Sequence, residues 1–156
     1  MSRFGDLHLM LMEPRLITES REVLISNSEL KALRAVPQEL VPAQGAGKLV
    51  EFVSAVVILI AGANVLAETT DNLVVRYTNG GGVIVSQPLE CTGFIDHPLN
   101  VVSEMLPKVD PIADATAALN APLVLHNSGD GEFTGNAAND ATLSVVISYR
   151  VHVIDV

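Results

Sequence analysis

The chain has no tryptophan, four phenylalanines, two tyrosines and one cysteine. A single cysteine, Cys91, excludes an intramolecular disulfide, and its plainest role is that of a small buried hydrophobe. Few aromatics leave the core to Val, Leu, Ile and Ala, and leave little surface for stacking on a sugar ring or a base. Positive charge is equally scarce. Residues 1–48 carry six basic and six acidic residues, whereas residues 49–156 carry three basic and twelve acidic, so the entire formal charge of −9 sits in that second part. An acidic body with no Lys/Arg cluster repels phosphate, which argues against nucleic acid as a partner.

Long uninterrupted apolar runs are also missing. Residues 49–67 come closest to a membrane span, but Glu51 and Asn64 interrupt them and Gly62 breaks them, short of the ~20 residues a bilayer demands. No membrane association is expected. The apolar patch at residues 7–12 contains His8, is followed by Glu13 and Pro14, and lacks a small-residue cleavage site, so it reads poorly as a signal peptide.

What is present is β-branched. Of the 156 residues 49% are hydrophobic, enough for one domain with a substantial core. Residues 48–61, KLVEFVSAVVILIA, predict a central strand. Leu49, Glu51, Val53, Ala55 and Val57 fall on one face and Val50, Phe52, Ser54 and Val56 on the other, with both faces buried toward Ala61. The cleanest alternation comes last: Leu143, Val145, Ile147, Tyr149, Val151 and Val153 point one way. Thr142, Ser144, Val146, Ser148, Arg150 and His152 point the other, in a strand about 40 Å long.

Between and before these lie shorter elements. Ser26 with Glu29 forms a capping box ahead of a helix of about two turns that Val36-Pro37 should end. Residues 23–25 read as a short strand, and residues 38–47 as an extended segment entering a turn. Residues 73–77 and 83–86 predict a hairpin around Asn79-Gly80-Gly81-Gly82. Residues 89–95 predict a strand with Gly93 at a bulge. Residues 100–106 and 112–119 read as helical or irregular, 122–127 as a short strand, and 128–140 as a glycine-rich polar loop. The sum is an all-β fold: an antiparallel, jelly-roll-like β-sandwich over residues 23–156 with one short helix. Residues 1–22 read as an extended N-terminal arm. Its Phe4, Leu9, Met10 and Met12 need apolar surface to lie on, because ordering a chain costs about 1–2 kcal/mol per residue. A neighbouring subunit supplies such a surface, and Arg150 and His152, on the polar face of the last strand, are further candidates for an interface.

No catalytic pattern stands out. Gly45-Ala46-Gly47-Lys48 invites a phosphate-loop reading, but Pro42 sits where the Walker pattern needs glycine and Leu49 where it needs Ser or Thr. Val50 occupies the third glycine of a dinucleotide fingerprint. His8, His97, His126 and His152 show no metal-ligand spacing. There is no G-x-S-x-G, and the Asp130/Glu132 pair lies in an Asp-Gly loop where carboxylates are ordinarily solvated. Neither catalytic residue, metal nor cofactor is expected.

Three stretches carry a resemblance: ISNSELKAL at residues 25–33, PQELVPAQGAGKLVEFVSAVV at 37–57, and NLVVRY at 72–77. Their order resembles small virion structural proteins of tailed bacteriophages, of the capsid decoration (cement) or tail-associated kind. It covers about residues 23–77. The resemblance implies a non-enzymatic homotrimer that binds and stabilises the lattice of the major capsid protein, on the outer surface of the virion after assembly in the host cytoplasm. Its alternatives are a tail, baseplate or fibre-anchoring component, and, from a different class, a small ligand- or sugar-binding sandwich.

Overall fold

A computed structural model describes residues 16–112 and 115–154. Its strands are β1 (Thr18–Ile25), β2 (Gln38–Val41), β3 (Lys48–Ile60), β4 (Leu66–Ala67), β5 (Asn72–Tyr77), β6 (Leu89–Glu90), β7 (Val101–Met105), β8 (Leu123–Asn127), β9 (Thr134–Gly135) and β10 (Thr142–Val153). One α-helix, α1 (Asn27–Lys31), and a 3-10 turn at Ala115–Ala118 complete the list. The fold is mostly β and all described pairings are antiparallel. One four-stranded sheet runs β1-β10-β3-β7, a second runs β2-β8-β5-β6, and β4 pairs with β9. Inward side chains of both larger sheets belong to one core that includes Val57, Leu59, Leu73, Leu125, Leu143 and Ile147. The Tyr77 hydroxyl on β5 donates to the Val50 carbonyl of β3 at 2.6 Å, a buried hydrogen bond that joins the two sheets.

The capping box at Ser26 is formed. The Ser26 backbone N–H donates to Glu29 Oε2 at 2.8 Å, and the Glu29 N–H donates back to Ser26 Oγ. The helix is shorter than two turns, because after Lys31 the chain tightens into turns such as Leu33 N–H to the Leu30 carbonyl. Leu30 and Leu33 still reach the core and are fully buried.

Strand β3 has the predicted bounds to within a residue, but its faces differ. Ser148 pairs with Ser54 while Tyr149 pairs with Phe52, so Val53 is an extra residue, a β-bulge. The bulge shifts the alternation by one. Val50 and Phe52 therefore point into the same core as Ala55, Val57 and Leu59, and Val56 and Ile58 remain part-exposed on the outside. The far end of β3 is thus buried on one face, not two.

Other expectations are corrected. Strand β1 is eight residues long and pairs along its whole length with β10, from Thr18 opposite Arg150 to Ile25 opposite Leu143. Residues 18–22, read as arm, are therefore part of a sheet. Their burial is low on both faces, so backbone pairing, not an apolar period, makes them a strand. Residues 101–105 form the edge strand β7 along β3; exposed Val102 had hidden the alternation. Only Leu89–Glu90 of the expected 89–95 strand pairs. The chain then turns through Cys91, whose carbonyl accepts from both the Phe94 and Ile95 N–H groups, and Gly93 lies in that turn rather than at a bulge. The hairpin return at residues 83–86 makes only one bridge to β5, Arg76 to Ile84, and a second, Ser86 to Pro107, to another segment. One reason is that the Ser86 hydroxyl, 2.8 Å away, takes the Val75 N–H. Within that turn Gly82 is required: a Cβ there would stand 1.7 Å from the Tyr77 carbonyl oxygen.

Loop 128–140 is held down by Asn136, which is 1% exposed and has φ of 41°. Its Oδ1 accepts from Asn27 Nδ2 at 2.8 Å and from the Asp140 N–H at 2.9 Å; its Nδ2 donates to the Asn64 carbonyl and to Asp140 Oδ1. One side chain thereby fastens the loop to the start of α1 and to the turn after β3. Asn136→Ala should destabilise the fold by about 3 kcal/mol, because buried partners lose their hydrogen bonds together. Urea denaturation measures this, and a loss below about 1 kcal/mol would contradict the assigned role.

Candidate interaction surface

The outward face of the β1-β10-β3-β7 sheet is uncovered among the described residues. Pairing sets its rows. Leu24, Ser144, Ile58 and Val102 lie side by side, and next to them Glu22, Val146, Val56 and Glu104. Leu24 is 72% and Val102 61% exposed, and Ile60 lies at the end of β3 with 39% exposed. Together with part-buried Val56, Ile58 and Val146 they make an apolar patch running across all four strands. Contiguous exposed apolar surface of this kind marks interaction sites more often than scattered single residues do.

Toward the other end the same face is polar. Glu51 accepts from His152 Nε2 at 2.8 Å and pairs with Arg150 Nη1 at 3.5 Å. Arg150 Nε also donates to Thr18 Oγ1 at 2.9 Å. Arg150 therefore ties β1 to β3 across β10. The structure brings the two predicted residues Arg150 and His152 together on one carboxylate. In the sequence Glu51 shows only as a charge that interrupts an apolar run on one strand face. Its two pairs lie in register-determined rows that a single-strand reading does not show. The predicted Phe4, Leu9, Met10 and Met12 lie outside the described residues.

The other constellations resolve into structural roles. Among the described residues no group of three or more His, Cys, Asp or Glu is placed to hold a metal ion, and no helix is long and apolar enough to cross a membrane. His97 Nδ1 meets the Leu99 carbonyl and N–H within its own turn. Cys91 is fully buried, and burial pushes its thiol far up, with Asp71 adding to the effect. The Asp130 carboxylate accepts from Thr69 Oγ1, which, with Thr70, holds it below the usual carboxylate range. Glu132 instead caps the backbone N–H groups of Arg34 and Ala35 at 2.9 and 2.7 Å. Gly45-Ala46-Gly47-Lys48 is a tight turn closed by Lys48 N–H to the Gly45 carbonyl. A hollow of about 430 Å³ beside Val74, Ile84, Pro88, Lys108 and Val109 has no aromatic lining.

The chain matches no family model, no curated protein and no solved structure.

Below the Glu51 cluster, burial pushes the Tyr77 hydroxyl up to about 12, with the Glu51 charge adding to it. A tyrosine that ionises later when folded contributes stability that is intact below its unfolded value of about 10 and is lost as pH rises toward about 12. Ultraviolet titration of tyrosinate should show this delayed ionisation, and Glu51→Gln should move it only part of the way back. The same substitution should change stability at neutral pH by less than about 1 kcal/mol, because the ion pairs are about a third exposed. A tyrosinate signal complete near pH 10 in the native protein would refute the assignment of Tyr77 to the core.

Proposed function

We propose that this protein is a non-enzymatic virion structural component of a tailed bacteriophage, a capsid decoration protein that binds the major capsid lattice as a homotrimer. The observation that carries the reading is the strand order. Setting aside β4 and β9, which pair only with each other, leaves eight strands in the two larger sheets. Numbered along the chain, the first sheet takes them as 1-8-3-6 and the second as 2-7-4-5. Strands from the two ends of the chain pair outside in, as in a jelly roll wound into two sheets, an architecture common in viral capsid domains. A fold alone does not specify function. Two further features support this one: the resemblance across residues 23–77, and the apolar face of the first sheet, which a neighbouring subunit would cover.

The mechanism is multivalent. A trimer docked on several capsid subunits gains avidity, because after the first contact the others are effectively intramolecular. Residues 1–15 lead into the exposed Leu16 and Ile17 and the edge strand β1, so an arm would leave beside the polar Glu51–Arg150 corner of that face and reach a neighbour.

Light scattering should give a particle of about three times 16.5 kDa, and the protein should sediment with undecorated capsids. Val102→Glu, at an exposed site, should leave the fold intact and lower the trimer fraction. Deleting residues 1–15 preserves β1 and should weaken capsid binding; unchanged binding would discard the arm's role. A monomer that ignores capsids would overturn the proposal, and one that sediments with isolated tails would move it to the tail.

A further inference from the structure

The outer face of the second sheet bears a cluster of a different kind. His126 on β8 pairs with Val74, and Arg76, two residues further along β5, pairs with Val124. His126 and Arg76 are thus diagonal neighbours on one face. Arg34, in the turns after α1, comes over the same spot, and Gly80 and Ser128 complete the rim of an open pocket of about 400 Å³. No carboxylate lines it, although the chain carries twice as many acidic as basic residues.

Two polar atoms there lack partners. His126 is only 7% exposed, and its Nδ1 has no hydrogen bond; Arg76 Nε is buried and unpaired as well. Neither Arg34 nor Arg76 forms an ion pair among the described residues, where the pairs are those of Lys108, Arg150 and His152. Leaving such groups unsatisfied costs stability. Glu132, the carboxylate whose charge acts on His126, is already occupied by the backbone of Arg34 and Ala35. Room for this arrangement depends on Gly80, where a Cβ would stand 2.8 Å from His126 Nε2.

We propose that the pocket formed by Arg34, Arg76 and His126 binds a single compact oxyanion, a phosphate or carboxylate group. Guanidinium groups are suited to both by their planar arrays of donors. An extended polyanion is disfavoured, since the acidic body around the pocket repels it. The site is independent of the virion reading and survives if that reading fails.

Binding should take up a proton. Burial first, then the Arg76 charge, holds the imidazole below its ordinary value; the Arg34 backbone pulls the other way by more than the Arg34 charge lowers it, and Glu132 opposes it least. An anion seated between the guanidiniums offsets their repulsion and so stabilises the imidazolium through its charge. Affinity should therefore rise as pH falls through the histidine range.

The test follows the His126 ring by NMR in the full chain, with His126→Gln to assign its signals. Inorganic phosphate and N-acetylaspartate are titrated separately, between about pH 5.5 and about pH 8. The expected result is a saturable shift of the His126 signals, a raised His126 titration midpoint, and tighter binding at the lower pH. Arg34→Gln, at an exposed site, should weaken binding about tenfold without unfolding the chain; Arg76→Gln, checked for a native spectrum, should do the same. A response to phosphate alone identifies a phosphoryl ligand, a response to N-acetylaspartate alone an acidic side chain of a partner protein, and a response to both an unselective oxyanion site. No response to either, or one that persists in the double arginine variant, would overturn the proposal.

Discussion

Everything in this molecule depends on how β3 is held against β10. Twelve residue pairs join them, from Thr142 opposite Ile60 to Val153 opposite Lys48. Both strands are central, so β1 can attach only to β10 and β7 only to β3. One irregularity decides what that ladder does. Without the extra residue at Val53, Val50 and Phe52 would face away from Ala55, Val57 and Leu59, and half of the strand would turn its apolar side chains to the wrong side. The bulge lets a thirteen-residue strand keep one core-facing surface. It also positions Val50 to accept the Tyr77 hydroxyl and so to fasten the second sheet.

The elements legible in the sequence were those whose neighbours leave a local trace. The capping box at Ser26 is a contact between residues three apart, and the alternation of β10 follows from one buried face. The strands that were missed owe their existence to distant partners. β1 has polar or charged side chains on both faces over Thr18–Glu22 and is a strand because β10 lies beside it. β7 carries exposed Val102 and Glu104 and borrows its order from β3. The bulge was invisible for the same reason, since a shift of alternation inside a run of valines shows only when the partner's register is known. Arg150 and His152 could be picked out as residues on a polar face, but their shared carboxylate Glu51, about a hundred positions away, could not.

The two sheets present opposite characters to the surroundings. The first shows an apolar patch flanked by an ion-paired corner, in which charges are already matched within the chain. The second shows two arginines and a buried histidine without matching charges. Adhesive area and unfulfilled polarity are thus on separate faces, so contact through one leaves the other accessible. The Asn136 network lies apart from both and serves the fold, anchoring the long loop to α1 and to the end of β3.

The outside-in pairing has a temporal side. Ser20 and Ser148, which meet across β1 and β10, are separated by 128 positions, and β10 leaves the ribosome after every strand it joins. Until it does, β1 has no partner and β3 has only the five-residue β7 along one edge. A nascent chain therefore carries the apolar run Val56–Ile60 with one edge open until β10 emerges. Closure of the first sheet is a late event involving contacts of high sequence separation, which form slowly. For such a chain the interval before β10 emerges is when aggregation threatens most, and the eleven acidic residues between position 48 and β10, mutually repulsive while the sheet is still open, oppose association of neighbouring nascent copies.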